Sequence, residues 1–139
     1  MLADGYALRD GPPDVAAYLR LRGESGLTPK TRAQAQAALP GSWCARHAVH
    51  EPTGDIVGMG RVIGDGGWYF HIVDVAVLPD HRRRGIADAI LTELVTEIRD
   101  RAPEGAFVTL LGDPAGRPLY RRHGFVETAP ASVGMKLRG

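Results

Sequence analysis

The most constraining stretch of this chain is a strand that passes through a basic turn straight into a helix. Trp68 to Leu78 is rich in aromatic and β-branched residues, Pro79 stops the run, and Arg82-Arg83-Arg84-Gly85 leads into Ile86. Such a run suits a central strand with both faces covered. Beyond Gly85, the apolar residues Ala87, Ile90, Leu91, Leu94, Val95 and Ile98 fall on one helical stripe. Asp88 near the start of that helix, and Arg99 and Arg101 near its end, agree with the helix dipole, and Pro103 ends it. A strand entering a helix through a tight turn leaves several backbone N–H groups unpaired and aimed one way, where the dipole also favours negative charge. The joint is therefore a candidate phosphate seat. Gly85 lets backbone approach an anion, Ala87 keeps bulk out of its way, and Arg82, Arg83 and Arg84 add charge. The competing reading is that the triple arginine is a solvated run before a helix.

Around this joint the chain reads as alternating short elements. Tyr6 to Arg9 is a strand candidate, and a helix follows Pro12-Pro13 to about Leu21. Thr28-Pro29 opens a second, alanine-rich helix that Pro40-Gly41 ends. Trp43 to His50 and Ile56 to Ile63 read as a hairpin, with Gly58 and Gly60 marking a bulge or a close approach. Ala106 to Leu111 reads as a buried strand and Pro114 to about His123 as a short helix, with two final strands at 125–127 and 134–137. This is a mixed α/β (α+β) pattern in which an antiparallel hairpin feeds a strand-helix-strand unit.

With 139 residues there is room for a single domain, and 44% hydrophobic against 24% charged residues excludes wholesale disorder. A formal net charge of +1 provides no global field for nucleic acid or an anionic membrane, so neither is expected as a partner. The lone Cys44, the acidic start at Asp4 and the lack of a ~20-residue apolar run lead us to expect a soluble, reduced, cytoplasmic protein.

The spacing Arg82-x-x-Gly85-x-Ala87 after such a strand resembles the R/Q-x-x-G-x-G/A signature of the GNAT superfamily of N-acetyltransferases. Asp113, Leu119, Tyr120, Gly124 and Phe125 are similar to that superfamily's C-terminal helix motif N-x-x-A-x-x-L-Y-x-x-x-G-F, with Asp113 and Gly116 where Asn and Ala are commoner. The likeness runs over essentially the whole chain. It implies one N-acetyltransferase domain over residues 1–139, with a mostly antiparallel central sheet flanked by helices. It also implies acetyl-coenzyme A as cosubstrate, its pantetheine arm pairing with Val75, Ala76 and Val77. The pyrophosphate would lie on Arg82, Arg83, Arg84, Gly85, Ile86, Ala87 and Asp88, with Arg117 as a candidate for the adenosine 3′-phosphate. Members of the fold often dimerise through their sheets, which leaves a homodimer open.

Direct acyl transfer to an amine needs a base for the ammonium, donors for the oxyanion and an acid for the thiolate. Tyr120 matches the tyrosine that serves the departing sulfur in relatives, and a phenol of pKa ~10 is a proton donor at neutral pH. His71 lies fourteen residues before Gly85, where part of the superfamily carries a glutamate base, and imidazole titrates in the useful range. Asp74 competes for that role, because an acid inside an apolar strand must be paired or functional. Strand alternation puts His71 and Asp74 on opposite faces. Trp68, Tyr69 and Phe70 are read as core or as the lining of an acceptor pocket. No metal is assigned, since Cys44, His47 and His50 lie three apart on a strand and cannot converge. A small primary amine is the favoured acceptor. A protein or peptide amine, or a regulatory module that binds coenzyme A without turnover, stands as the alternative.

Overall fold

Two short turns build the centre of the sheet. The first joins β2 (Cys44–His50) to β3 (Asp55–Gly64), with the Thr53 and Gly54 N–H groups donating to the His50 carbonyl. The second joins β3 to β4 (Tyr69–Val77), where one Asp65 oxygen accepts the N–H groups of Gly67, Trp68 and Tyr69 at 2.8, 2.9 and 3.1 Å. Three such donors hold the Asp65 carboxyl below its usual range. β1 (Tyr6–Asp10) adds antiparallel to β2, and the sheet order is β1-β2-β3-β4-β5. β5 (Phe107–Leu110) meets β4 with Phe107 N bonded to Trp68 O and Thr109 Oγ1 to Phe70 O, contacts that advance together along both chains, so this pair is parallel.

The helices follow their caps. α1 (Val15–Ser25) starts at Asp14, whose side chain accepts from Ala17 N at 2.8 Å, and ends at Gly26 in the left-handed region. It runs one turn past the expected Leu21, carrying the buried Arg22 into the interior and passing through Gly23 before Gly26 caps it. α2 (Arg32–Ala38) carries a reciprocal capping box between Thr31 and Gln34. α3 (Ile86–Arg101) buries Ile86, Ile90, Leu91, Leu94 and Ile98 on the face of the sheet formed by β2 and β3. Arg46 of β2 pins it there through Glu93 and Glu97 at 2.8 and 2.7 Å. Gly58 and Gly60 of β3 admit this helix: a Cβ at either would stand 2.7 Å from Ile86 Cγ2 or Ile90 Cγ2. α1 and α2 lie on the other face.

The computed structural model describes residues 1–139, which divide into two compact units, 1–109 and 110–139. The first holds the core, with Phe70, Leu21, Met59 and Ile90, Leu91, Leu94 and Ile98 of α3 fully buried, while Ala87 and Val95 of the expected stripe are half-buried. The second contains α4 (Arg117–Arg122). Two expectations are corrected here. Phe107–Leu110 is a half-exposed edge strand, because β4 alone flanks it. The final strands at 125–127 and 134–137 do not form. Their residues Val126, Met135 and Leu137 stand in solvent, and such short runs gain nothing from extending without a ladder partner. No helix is long and apolar enough to cross a membrane.

Candidate active site

β4 carries the site, and its geometry turns on one irregularity. Met59 pairs with Ala76 and Arg61 with Val73, so two steps on β3 oppose three on β4, and the extra residue makes a bulge. Asp74 sits in it at φ +59°, a conformation few side chains other than Asp and Asn accept. The bulge resets the alternation. His71 pairs with Ile63, on the same face as Arg61, and Asp74 reaches that face as well, where it bonds Tyr18 and Arg22 of α1. The expectation of opposite faces is thus overturned by one inserted residue.

Sharing a face does not make Asp74 a base. One of its oxygens accepts from Arg22 Nη1 at 2.7 Å, the other from Arg61 Nε at 2.8 Å and from Tyr18 Oη at 2.7 Å. Its side chain is 8% exposed and both of its oxygens are held by these three donors, two of them cationic. Burial and the hydrogen bond to Asp74 raise the Tyr18 phenol, keeping it a donor. Arg61 continues to the Ala38 carbonyl and Ser42 Oγ, and Arg22 to the Thr28 carbonyl. This buried network ties α1 and the end of α2 to the bulge. The isolated acid in an apolar strand was visible in the sequence; its partners, 52 and 13 residues away, were not.

His71 is half-buried, and burial lowers its pKa from the ordinary 6.5. Its Nδ1 lies 2.7 Å from Thr109 Oγ1, which also lies 3.4 Å from the Phe70 carbonyl. In the tautomer in which Nδ1–H donates to Thr109, Nε2 keeps the lone pair. A neutral imidazole held in that tautomer is equipped to accept a proton. Thr109 could not have been found from sequence, because nothing local links positions 71 and 109.

At the far end of β4, the turn residues Pro79–His81 lead to Arg82, and Gly85 caps α3 at φ +75° with no side-chain bond to the helix start. The first-turn N–H groups of α3 are therefore presented by backbone alone, as an anion seat requires. Arg83 at φ +60° and Arg84 are exposed beside it. Arg82 is placed differently: its Nε donates to the Val77 carbonyl at 3.2 Å and its Nη2 to Ser25 O at 3.1 Å, so it braces the loop. A Cβ at Gly85 would run into the Met1 carbonyl, and Ala3 N bonds Arg84 O at 2.8 Å, so the N-terminal residues also hold the turn. Asp88 faces the Met1 amine at 3.8 Å. Between seat and bulge lie Val75, half-buried, and Ala76 and Val77, buried. β5 keeps pace with β4 only to about Ile72, at ~3.3 Å per residue, so the β4 edge from Val73 onward extends past it.

In the second unit, Tyr120 lines a cavity of ≈ 300 Å³ with Leu110, Asp113, Arg117 and Phe125. Burial, and then the Asp113 charge, raise its pKa, so the phenol stays protonated. Gly116 stands where the motif usually has Ala, and the structure explains it: a Cβ there would lie 2.8 Å from Tyr120 Cε2. Gly116→Ala displaces this ring, and if Tyr120 delivers a proton in turnover, kcat falls by about tenfold while acetyl-coenzyme A affinity holds. Steady-state kinetics on this variant and on Tyr120→Phe check this, and an unchanged kcat in both would remove Tyr120 from the reaction. Arg117 donates Nε to the Gly112 carbonyl at 2.9 Å.

Elsewhere, Cys44 is buried and its thiol pushed up to about 11, His47 bonds the Gly11 carbonyl and His50 bonds Thr53. The three do not share partners.

Comparisons with known proteins bear on this arrangement. The model of the acetyltransferase (GNAT) domain matches residues 42–127. A crystal structure from meticillin-resistant Staphylococcus aureus, the probable acetyltransferase SA2161, superposes with a TM-score of 0.90 at 33% identity, covering 96% of this chain and 99% of that one. The GNAT family protein SP0256 of Streptococcus pneumoniae superposes at 0.80 with 22% identity, over 96% and 98% of the two chains, a likeness of fold. An uncharacterized N-acetyltransferase, ycf52 of Porphyra purpurea, is 29% identical over 80 residues, 58% of this chain and 45% of its own length. The matched region thus spans about half of that relative.

Proposed function

The chain belongs to the GNAT acetyltransferase family, and on that premise we propose that it transfers the acetyl group of acetyl-coenzyme A directly to a small-molecule primary amine. The observation that carries this reading is the joint itself: a helix start offered by backbone behind Gly85, continuous with a β4 edge that outruns β5. The pyrophosphate rests on the N–H groups from Gly85 to Asp88 with Arg83 and Arg84 beside it, while Arg82 holds the loop's shape. The pantetheine arm runs back along Val77, Ala76 and Val75, and a backbone N–H near Val75, re-aimed by the bulge, supports the oxyanion. The amine nitrogen attacks the thioester carbon, the carbon–sulfur bond breaks, His71 Nε2 takes the ammonium proton, and the motif match gives Tyr120 the role of returning one to the thiolate. Neither the net charge of +1 nor the internally paired acid of β4 favours a polycationic, histone-like tail.

Thiol release from acetyl-coenzyme A against a panel of amines tests the proposal. Release with at least one small amine is expected; saturable binding without release on any acceptor would leave only a regulatory binding module. The pH profile tests the base. Because burial lowers the His71 pKa, its neutral form prevails from below pH 6.5 upward. The rate should fall as pH drops through that lowered value, on top of the acceptor's own rise toward its pKa of ~10. His71→Gln should cost roughly 10²-fold in kcat/KM and erase the His71 inflection, leaving the acceptor's own slope. An intact inflection in the variant would pass the role to water.

A further inference from the structure

The first half of β4 holds a feature the acetyl-transfer machinery does not use. Trp68, Tyr69 and Phe107 are 58%, 41% and 47% exposed and touch edge to face, with ring centroids 5.3 Å apart for Trp68–Tyr69 and 5.4 Å for Tyr69–Phe107. Phe70, the residue after Tyr69, is fully buried against Trp43, so the exposed rings are not an overflow of the core. Tyr69 and His71 share one face of β4, and Phe107 and Thr109 are their neighbours on β5. The aromatic stripe therefore begins one pleat, about 7 Å, from the imidazole. Seen along β4, Val77 to Val75 serve the cosubstrate, His71 follows, and the rings come next, on the side away from the phosphate seat.

We propose that this stripe is the floor of the acceptor site, and that the acceptor is an amine carried on a flat aromatic or apolar body, such as an arylalkylamine. The assignment rests on the acetyl-transfer reading of the same site and adds the substrate class to it. Its occupant must reach His71 with its nitrogen and lay a body of about one ring over Tyr69 and Phe107. The near-perpendicular Tyr69–Phe107 contact, at 80°, leaves ring faces open for offset or edge contacts. The nearest acid in sequence, Asp65, has the oxygen facing this segment committed to three backbone N–H groups, so it is not arranged as a cation anchor. Apolar contact and ring faces are what remain to select the acceptor.

The experiment measures kcat and KM for phenethylamine, spermidine and glucosamine 6-phosphate in the wild type, Phe107→Ala, Tyr69→Ala and Tyr69→Leu, with the acetyl-coenzyme A KM taken in parallel. Both target rings are exposed, so truncation does not open the core. Phenethylamine should be the best of the three. Each alanine variant should raise its KM about tenfold, equal to ~1.4 kcal/mol, with kcat and the acetyl-coenzyme A KM nearly unchanged. Tyr69→Leu should recover part of the loss. An unchanged phenethylamine KM in both alanine variants, or release with spermidine or the amino sugar but not with phenethylamine, would overturn the floor while leaving acetyl transfer standing. Release with none of the three would count against the floor, and extending the negative result across the wider amine panel would overturn acetyl transfer as well.

Discussion

Gly85→Glu should abolish acetyl-coenzyme A binding, with calorimetry giving no heat and saturating ligand giving no rise in Tm. Three effects add at this position. The backbone sits at φ +75°, where a non-glycine residue costs about 1–3 kcal/mol. Any Cβ meets the Met1 carbonyl, so the turn must shift to admit one. A carboxylate placed at the helix start then opposes a diphosphate where the dipole and Arg83 and Arg84 would draw it in. The wild type at a ligand concentration of 100 times Kd should gain about 2.7 kcal/mol of apparent stability, and the variant none. Arg84→Glu separates charge from backbone: Arg84 is exposed, so its reversal leaves the fold alone and weakens binding in a salt-dependent way. If Gly85→Glu binds acetyl-coenzyme A with wild-type affinity, the diphosphate lies elsewhere.

How much of this was legible in the sequence divides along a physical line. The α3 stripe and the tight turns are local periodicities and local hydrogen bonds, so Ile90, Leu94 and Ile98 and the Asp65 turn could be read one segment at a time, while the cap of α2 fell at Thr31, three residues past the expected Thr28. The strand–turn–helix joint at Gly85 belongs to the same class, because a strand end, a glycine and a helix start are neighbours along the chain. What could not be read depended on partners distant in sequence. The β4 bulge is one residue of register between two strands, and it reversed the facing of Asp74 relative to His71. Arg82 offered all three guanidinium nitrogens to a phosphate on paper, and the fold turns two of them to the carbonyls of Val77 and Ser25. The runs at 125–127 and 134–137 have strand-like residues without a ladder, a case where local propensity loses for lack of a partner.

Asp74→Ala should be the most damaging substitution for stability, lowering the unfolding free energy by about 3–5 kcal/mol of a total near 5–15. The reason is what it leaves behind. Arg22 and Arg61 have side chains only 11% and 8% exposed, and without the carboxylate two guanidinium groups stay in the interior with no counter-charge, while the Tyr18 hydroxyl loses its acceptor. Relief of the φ +59° strain offsets about 1 kcal/mol at most, and only where the new residue tolerates that region. Asp74→Gly separates the two contributions, since glycine accepts the dihedral freely but supplies no carboxylate. It should recover at most about 1 kcal/mol relative to Asp74→Ala. Urea unfolding of both variants, with Arg61→Met and the double variant completing a cycle, gives the coupling; Arg61 and Asp74 in direct contact should show about 0.5–3 kcal/mol. Should Asp74→Gly match the wild type, the carboxylate would be dispensable and the dihedral alone would explain the residue. If the network holds the bulge, any folded Asp74→Gly protein should keep its acetyl-coenzyme A affinity, because the seat lies beyond Val77, and lose kcat, because the re-aimed N–H near Val75 is no longer fixed.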